Sequence, residues 1–301
     1  MRTFKRAAGV LLAVAIVAAM PAAVDVEAAD GHVIAFASPE AAYDQGLGAL
    51  KAGRLDLAVP AFQYAADRGI VGAQYYLAEI YADRSGPYCD LAKAYRLYMS
   101  IADKYAHVLL GHDPRAYFVG KTLTALAVRF IWEGLPEIGL KPDPAHAIMY
   151  LHHAANLFNE ENAQFELARH YLAGEPGEEN VKRALHWLSG LSQKRHAPGQ
   201  ARLADIYWQG KHVKHDPARA LALSTLAFRN APHNERIWIA DIHHRIFCGA
   251  SFEVRRQAGI MIEDWSSHNR FRERELEPDQ GALRTCANGE KIDGTPPRRQ
   301  D

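Results

Sequence analysis

An excess of charge of either sign is missing from this chain: lysine plus arginine and aspartate plus glutamate each number 35 in 301 residues. Without surplus positive charge to neutralise a phosphate backbone or hold an anionic surface, nucleic acid is excluded as a principal partner. Cysteine is scarce as well. Cys89, Cys248 and Cys286 are odd in number and show no CxxC or other metal spacing, so they cannot form a disulfide framework. No G-x-S-x-G, H-E-x-x-H, P-loop or dinucleotide fingerprint occurs, which removes the common routes to a nucleophile, a catalytic zinc or a phosphate site. No alternating strand pattern stands out, and past the N-terminus no apolar run is long enough to span a bilayer. What remains is 49% hydrophobic and 23% charged residues, a globular composition with ample material for a core.

The N-terminus is the first informative segment. Arg2, Lys5 and Arg6 make a basic start, and Ala7 to Met20 is an apolar run of signal-peptide length. The small-residue rule allows cleavage after Ala28, with Val26 at −3, or after Ala37, with Ala35 at −3. An uncleaved anchor is the competing reading, because Ala7 to Val24 only just reaches the ~18 residues a span needs. Cleavage places the mature chain in an oxidising periplasm with no integral membrane span. There a Cys248–Cys286 bridge and three isolated small apolar side chains are both open readings.

Self-similarity organises the rest. Ala73-Gln74-Tyr75-Tyr76-Leu77-Ala78-Glu79-Ile80-Tyr81 returns as Ala163 to Tyr171 and as Gly199 to Tyr207, the later two starting 36 residues apart. In each copy an alanine (Ala94, Ala184, Ala220) follows the pattern's leucine by 17 residues, and Leu97, Trp187 or Leu223 comes three residues later. Degenerate copies lie at Leu126 to Phe130 with Ala147 to Tyr150, and at Gly46 to Gly53 with Ala58 to Ala66. The units run approximately 41–69, 70–110, 115–159, 160–195 and 196–232. At 100° per residue, Gln74, Leu77, Ala78 and Tyr81 share one face, a stripe that only a neighbouring helix can cover. Gly53, Gly174 and Gly210 suit left-handed helix ends, and Asp143-Pro144 and Asp216-Pro217 suit helix starts. Glu235 to Phe247 and Glu253 to Trp265 read as two capping helices, and 266–301 as a flexible polar tail.

The Ala-x-x-x-Leu-Ala-x-x-Tyr pattern, the glycine before the loop and the alanine-led second helix resemble the Sel1-like branch of tetratricopeptide-type repeats over about residues 41–232. The export signal, the long linker at Leu140-Lys141-Pro142-Asp143-Pro144 and the helices from Trp238 to Trp265 look like ExoR-type periplasmic regulators of alphaproteobacteria. The resemblance implies an all-α, right-handed α-solenoid over 41–265, capping helices included. It also implies a protein that restrains a sensor histidine kinase by touching its periplasmic domain, and so represses exopolysaccharide synthesis. A scaffold in an envelope or polysaccharide-secretion assembly is the alternative. Sel1-like proteins once suspected of β-lactam hydrolysis carry two regularly spaced cysteines per repeat, which this chain lacks, so no enzyme activity and no cofactor are expected.

Fifteen histidines invite a metal reading. Yet His152-His153 and His243-His244 are adjacent pairs whose side chains diverge by about 100° on a helix, and His212 and His215 have no third close ligand, so no metal site is expected. The expected site is instead a protein-binding groove, because first helices line the concave face of such solenoids. Opposite the shared stripe lie Tyr75 and Glu79, Phe165 and Arg169, and Asp205 and Trp208, aromatic and charged types that recur at interfaces. Burial of Phe165 and Leu172 by neighbouring repeats is the competing expectation.

Overall fold

The computed structural model describes residues 24–27, 33–108, 111, 113–173 and 177–269. The expected signal segment before Val24, the Gly174 helix end and the tail past Asn269 lie outside them. Contacts divide the chain into two units, Met1–Ile80 and Tyr81–Asp301.

In the first unit, β1 (Val24–Glu27) pairs antiparallel with β2 (Val33–Phe36), a hairpin that the repeat pattern does not announce. β2 packs on α1 (Pro39–Lys51), and Phe36 is buried with its ring 5.0 Å from that of Tyr64. Helix α1 starts where Ser38 Oγ accepts the Ala41 N–H, with Pro39 in the first turn where its missing N–H costs nothing. It ends before Gly53, whose φ of 69° only glycine adopts freely. Helix α2 (Leu55–Asp67) returns along α1, and Phe62 seats against Gly46, where an added Cβ would lie 2.6 Å from the ring. Phe62 also stacks on Tyr76 of α3 (Val71–Ala82) at 5.6 Å.

The second unit is built of helices joined by loops, from α4 (Leu91–Tyr105), α5 (Arg115–Leu126), α6 (Pro144–Leu157) and α7 (Glu161–Leu172) to α8 (Glu178–Gln193). There follow α9 (Ala197–Gln209), α10 (Pro217–Arg229), α11 (Arg236–Gly249) and α12 (Phe252–Asn269). From α4 to α11 each helix packs on the next, α5 also meets α7, α9 meets α11, and α12 packs on α10. Such next-but-one contacts arise when helix pairs stack as repeats, since no single pair covers its own apolar stripe. The recurring small residues sit at these contacts: Ala94, Ala168, Ala184, Ala204 and Ala220 are fully buried, and so is Leu167.

Two recurring bonds fix the repeat. Asp90, Asp143 and Asp216 each cap a second helix by accepting the N–H three residues on, from Lys93, His146 and Arg219, at 2.9–3.0 Å. The same aspartates donate their own N–H to the end of the preceding helix, at the Tyr81, Ile131 and Tyr207 carbonyls, which closes each intervening loop. The other bond gives the polar member of the shared stripe its partner. Gln74, Gln164 and Gln200 are buried, and each donates from Nε2 to a carbonyl at the end of the previous second helix: Ala66, Ala155 and Ser192, at 3.1–3.3 Å. Helix ends leave carbonyls without intrahelical donors, and the glutamine supplies one.

The long middle linker has structure of its own. Past Leu126 the helix widens into a π-turn, Ala127–Ile131, where Trp132 N–H reaches back to the Ala127 carbonyl. Leu135 and Leu140 then exchange backbone bonds at 2.8 and 3.1 Å around a loop that exposes Glu137 and Ile138.

Candidate protein-recognition face

The predicted residues of the second unit lie on α7 and α9, and α11 packs beside α9. Phe165, one turn into α7, is half-buried and stacks at 19° on Trp238 of α11, ring centroids 6.4 Å apart. His196 lies 5.6 Å from Phe165 and caps α9, its Nδ1 accepting the Gly199 N–H at 3.1 Å. That bond leaves the proton on Nε2, which donates to Asn162 Oδ1 at 3.2 Å. Burial, with Lys194 nearby as a lesser cause, pushes the His196 pKa down to about 4, so the ring is neutral at pH 7. Trp238 donates its indole N–H to Glu235, and its neighbour Ile237 is 73% exposed.

Further along the helices the face is charged. Arg169 is exposed and pairs with Glu166 at 2.9 Å. Asp205, expected to point into a groove, is buried: Arg245 of α11 holds it at 2.6 Å and Arg202 stands at 3.9 Å. A carboxylate with two guanidiniums over it locks α9 to α11, and the half-exposed arginines form the accessible surface. Trp208 is half-buried over Gly249, where an added Cβ would come within 2.7 Å of the indole. It packs with the core at the α9–α10–α12 end. Tyr75 and Glu79 belong to the first unit, where both are half-buried and Tyr75 sits edge-on to Tyr76 at 5.5 Å.

Sequence reasoning placed Trp238 and Ile237 among the apolar residues of the cap and gave His196 no role; the structure brings Trp238 and His196 to Phe165 and leaves Ile237 exposed. The spacing of Trp238 and Arg245, seven residues and so two helical turns, was the available sign that they share a side of α11. Cys248 is disulfide-bonded and Cys89 is free, while Cys286 lies outside the described residues. Among the described residues no three of His, Cys, Asp and Glu gather as metal ligands, and no helix is long and apolar enough to cross a membrane.

Stacked helix pairs define a helical-repeat protein, and residues 71–104, 105–157, 162–189 and 197–231 match the Sel1 repeat family. The chain belongs to that family. It is 31% identical over 231 residues, 77% of this chain and 83% of the relative, to the exopolysaccharide production negative regulator of Rhizobium meliloti (strain 1021). The regulator of the same name from Rhizobium leguminosarum bv. viciae is 29% identical over 213 residues, 71% of this chain and 77% of the relative. Among solved structures, a Sel1 repeat protein from Oxalobacter formigenes superposes with a TM-score of 0.52 at 21% identity, covering 77% of this chain and 87% of that one. A protective antigen of uropathogenic Escherichia coli with an SLR fold gives 0.54 at 19% identity over 76% of this chain, which spans 46% of the antigen. These likenesses establish an all-α solenoid of Sel1-type repeats.

Proposed function

We propose that this protein is an exported, non-enzymatic regulator that holds down exopolysaccharide synthesis by binding the periplasmic domain of a membrane sensor kinase through its α7–α9–α11 face. The observation that carries the binding site is the Phe165–Trp238 stack. Two large, half-buried rings beside an exposed isoleucine and flanking arginines combine the side chains that dominate interface energetics. The similarity to two regulators of exopolysaccharide production supports the regulatory role. The bonded state of Cys248 fits an oxidising compartment and hence export.

The test uses Phe165→Ala and Trp238→Ala, singly and together, in cells that lack the wild-type chain. Helicity should stay near that of the parent, while melting should fall for Trp238→Ala, whose ring packs on the Ala201–Phe228–Ile239 core, so binding is compared at a temperature where every variant is folded. The double variant should bind more than about tenfold more weakly, and exopolysaccharide should rise although the protein accumulates. Cross-linking should recover a kinase with a periplasmic domain from the parent and little from the variant. Full repression by a stable double variant would refute this face, and recovery of only export or synthase subunits would favour a scaffold.

A further inference from the structure

We propose that the export signal is removed after Ala28, and that Val33–Phe36 remains in the mature protein as part of its folded first unit. The proposal rests on the export reading above and goes beyond it by fixing the processing site. By sequence, Ala28 and Ala37 are equivalent, each a small residue at −1 with another permissible residue at −3.

The fold makes them unequal. Phe36 is 1% exposed, its ring stands 5.0 Å from that of the buried Tyr64, and its strand packs on α1. Cleavage after Ala37 would take this ring away and leave Tyr64 facing the vacated space, a large-to-small deletion carried to its limit. It would also create a new α-ammonium on Ser38, whose Oγ accepts the Ala41 N–H at 3.1 Å to start α1. A positive charge there opposes the positive end of the helix dipole. Cleavage after Ala28 incurs neither penalty, because the new terminus falls ahead of β2 and the Phe36 ring stays in place. What that cut detaches is β1, which pairs with β2 over Val24–Glu27 and touches α2, but it leaves the buried Phe36 ring and the Ser38 cap in place. The backbone groups it frees on β2 are at a strand edge, where water satisfies them.

N-terminal sequencing of the protein released by periplasmic extraction decides the matter, with Ala29 as the expected first residue. A chain starting at Ser38 would overturn the assigned site while leaving export intact. A chain still starting at Met1 would overturn both. The structural reason has its own test in chains produced without a signal and beginning at Ala29 or at Ser38. The Ala29 chain should melt higher by roughly 10 °C, the shift expected when a buried aromatic ring is lost from a domain of this size. Phe36→Ala in the Ala29 chain should reproduce most of that difference. Equal melting of the two chains would refute the argument from Phe36.

Discussion

Replacing Gln164 by methionine should destabilise the protein far more than replacing Gln200 in the same way, although the two stand at equivalent places in successive repeats. Gln164 has every polar atom engaged. Its Nε2 donates to the Ala155 carbonyl at 3.3 Å and to Asn159 Oδ1 at 2.9 Å, and its Oε1 accepts from Lys194 Nζ at 3.2 Å. Gln200 donates to the Ser192 carbonyl at 3.1 Å, but its buried Oε1 has no protein partner. Methionine preserves the volume, so the packing contribution largely cancels. At about 1 kcal/mol per neutral hydrogen bond, and somewhat more for the lysine bond, Gln164→Met should cost about 2–3 kcal/mol. In Gln200→Met the lost bond, about 1 kcal/mol, is offset by removing a buried acceptor whose desolvation costs about as much, so the net change should be under about 1 kcal/mol. Urea unfolding of the three proteins, compared at constant m-value, measures both changes. Equal losses in the two variants would show that the recurring glutamine acts through shape alone and would refute this reasoning.

Leu167→Ala should cost about 3–4 kcal/mol by thermal or urea melting, because the side chain is fully buried between repeats; parent-like melting would refute the repeat register. The His196 pKa is lowered from 6.5 to about 4 on folding, so the unfolded chain binds the proton more readily. The stability this neutral cap contributes is complete above pH 6.5 and is lost as pH falls toward 4. Because the ring is partly solvated, that loss should be roughly 1–2 kcal/mol, and His196→Asn, which caps without titrating, should lack it in melts across this range. Alkylation of the native, unreduced protein should label Cys89 and leave Cys248 unmodified, as peptide mass mapping would show.

Helix pairing was legible in the sequence because its determinants are local. The Leu-Ala-Tyr stripe, the left-handed ends at Gly53 and Gly210, and the caps at Asp143 and Asp216 each depend on residues within a turn or two of one another. The same periodicity put the glutamines on the buried face but left their partners unstated. Helical periodicity fixes which residues face a neighbour but not which carbonyl waits there. The strands at Val24–Glu27 and Val33–Phe36 and the π-turn at Ala127–Ile131 escaped notice for a related reason: no repeat template contains them.

By itself the sequence determined the repeating helix pair and the residues that its helices share with their neighbours. The tertiary structure alone decided which outward residues meet. Phe165 and Trp238 are 73 positions apart in the chain, yet they touch because α9 carries α11 back toward α7. Asp205 turned from a surface candidate into a buried tie because Arg245, 40 positions on, reaches it. Local periodicity fixes the side of a helix on which a residue stands. Only the stacking of whole repeats, which sums many weak contacts over long chain separations, fixes what stands opposite.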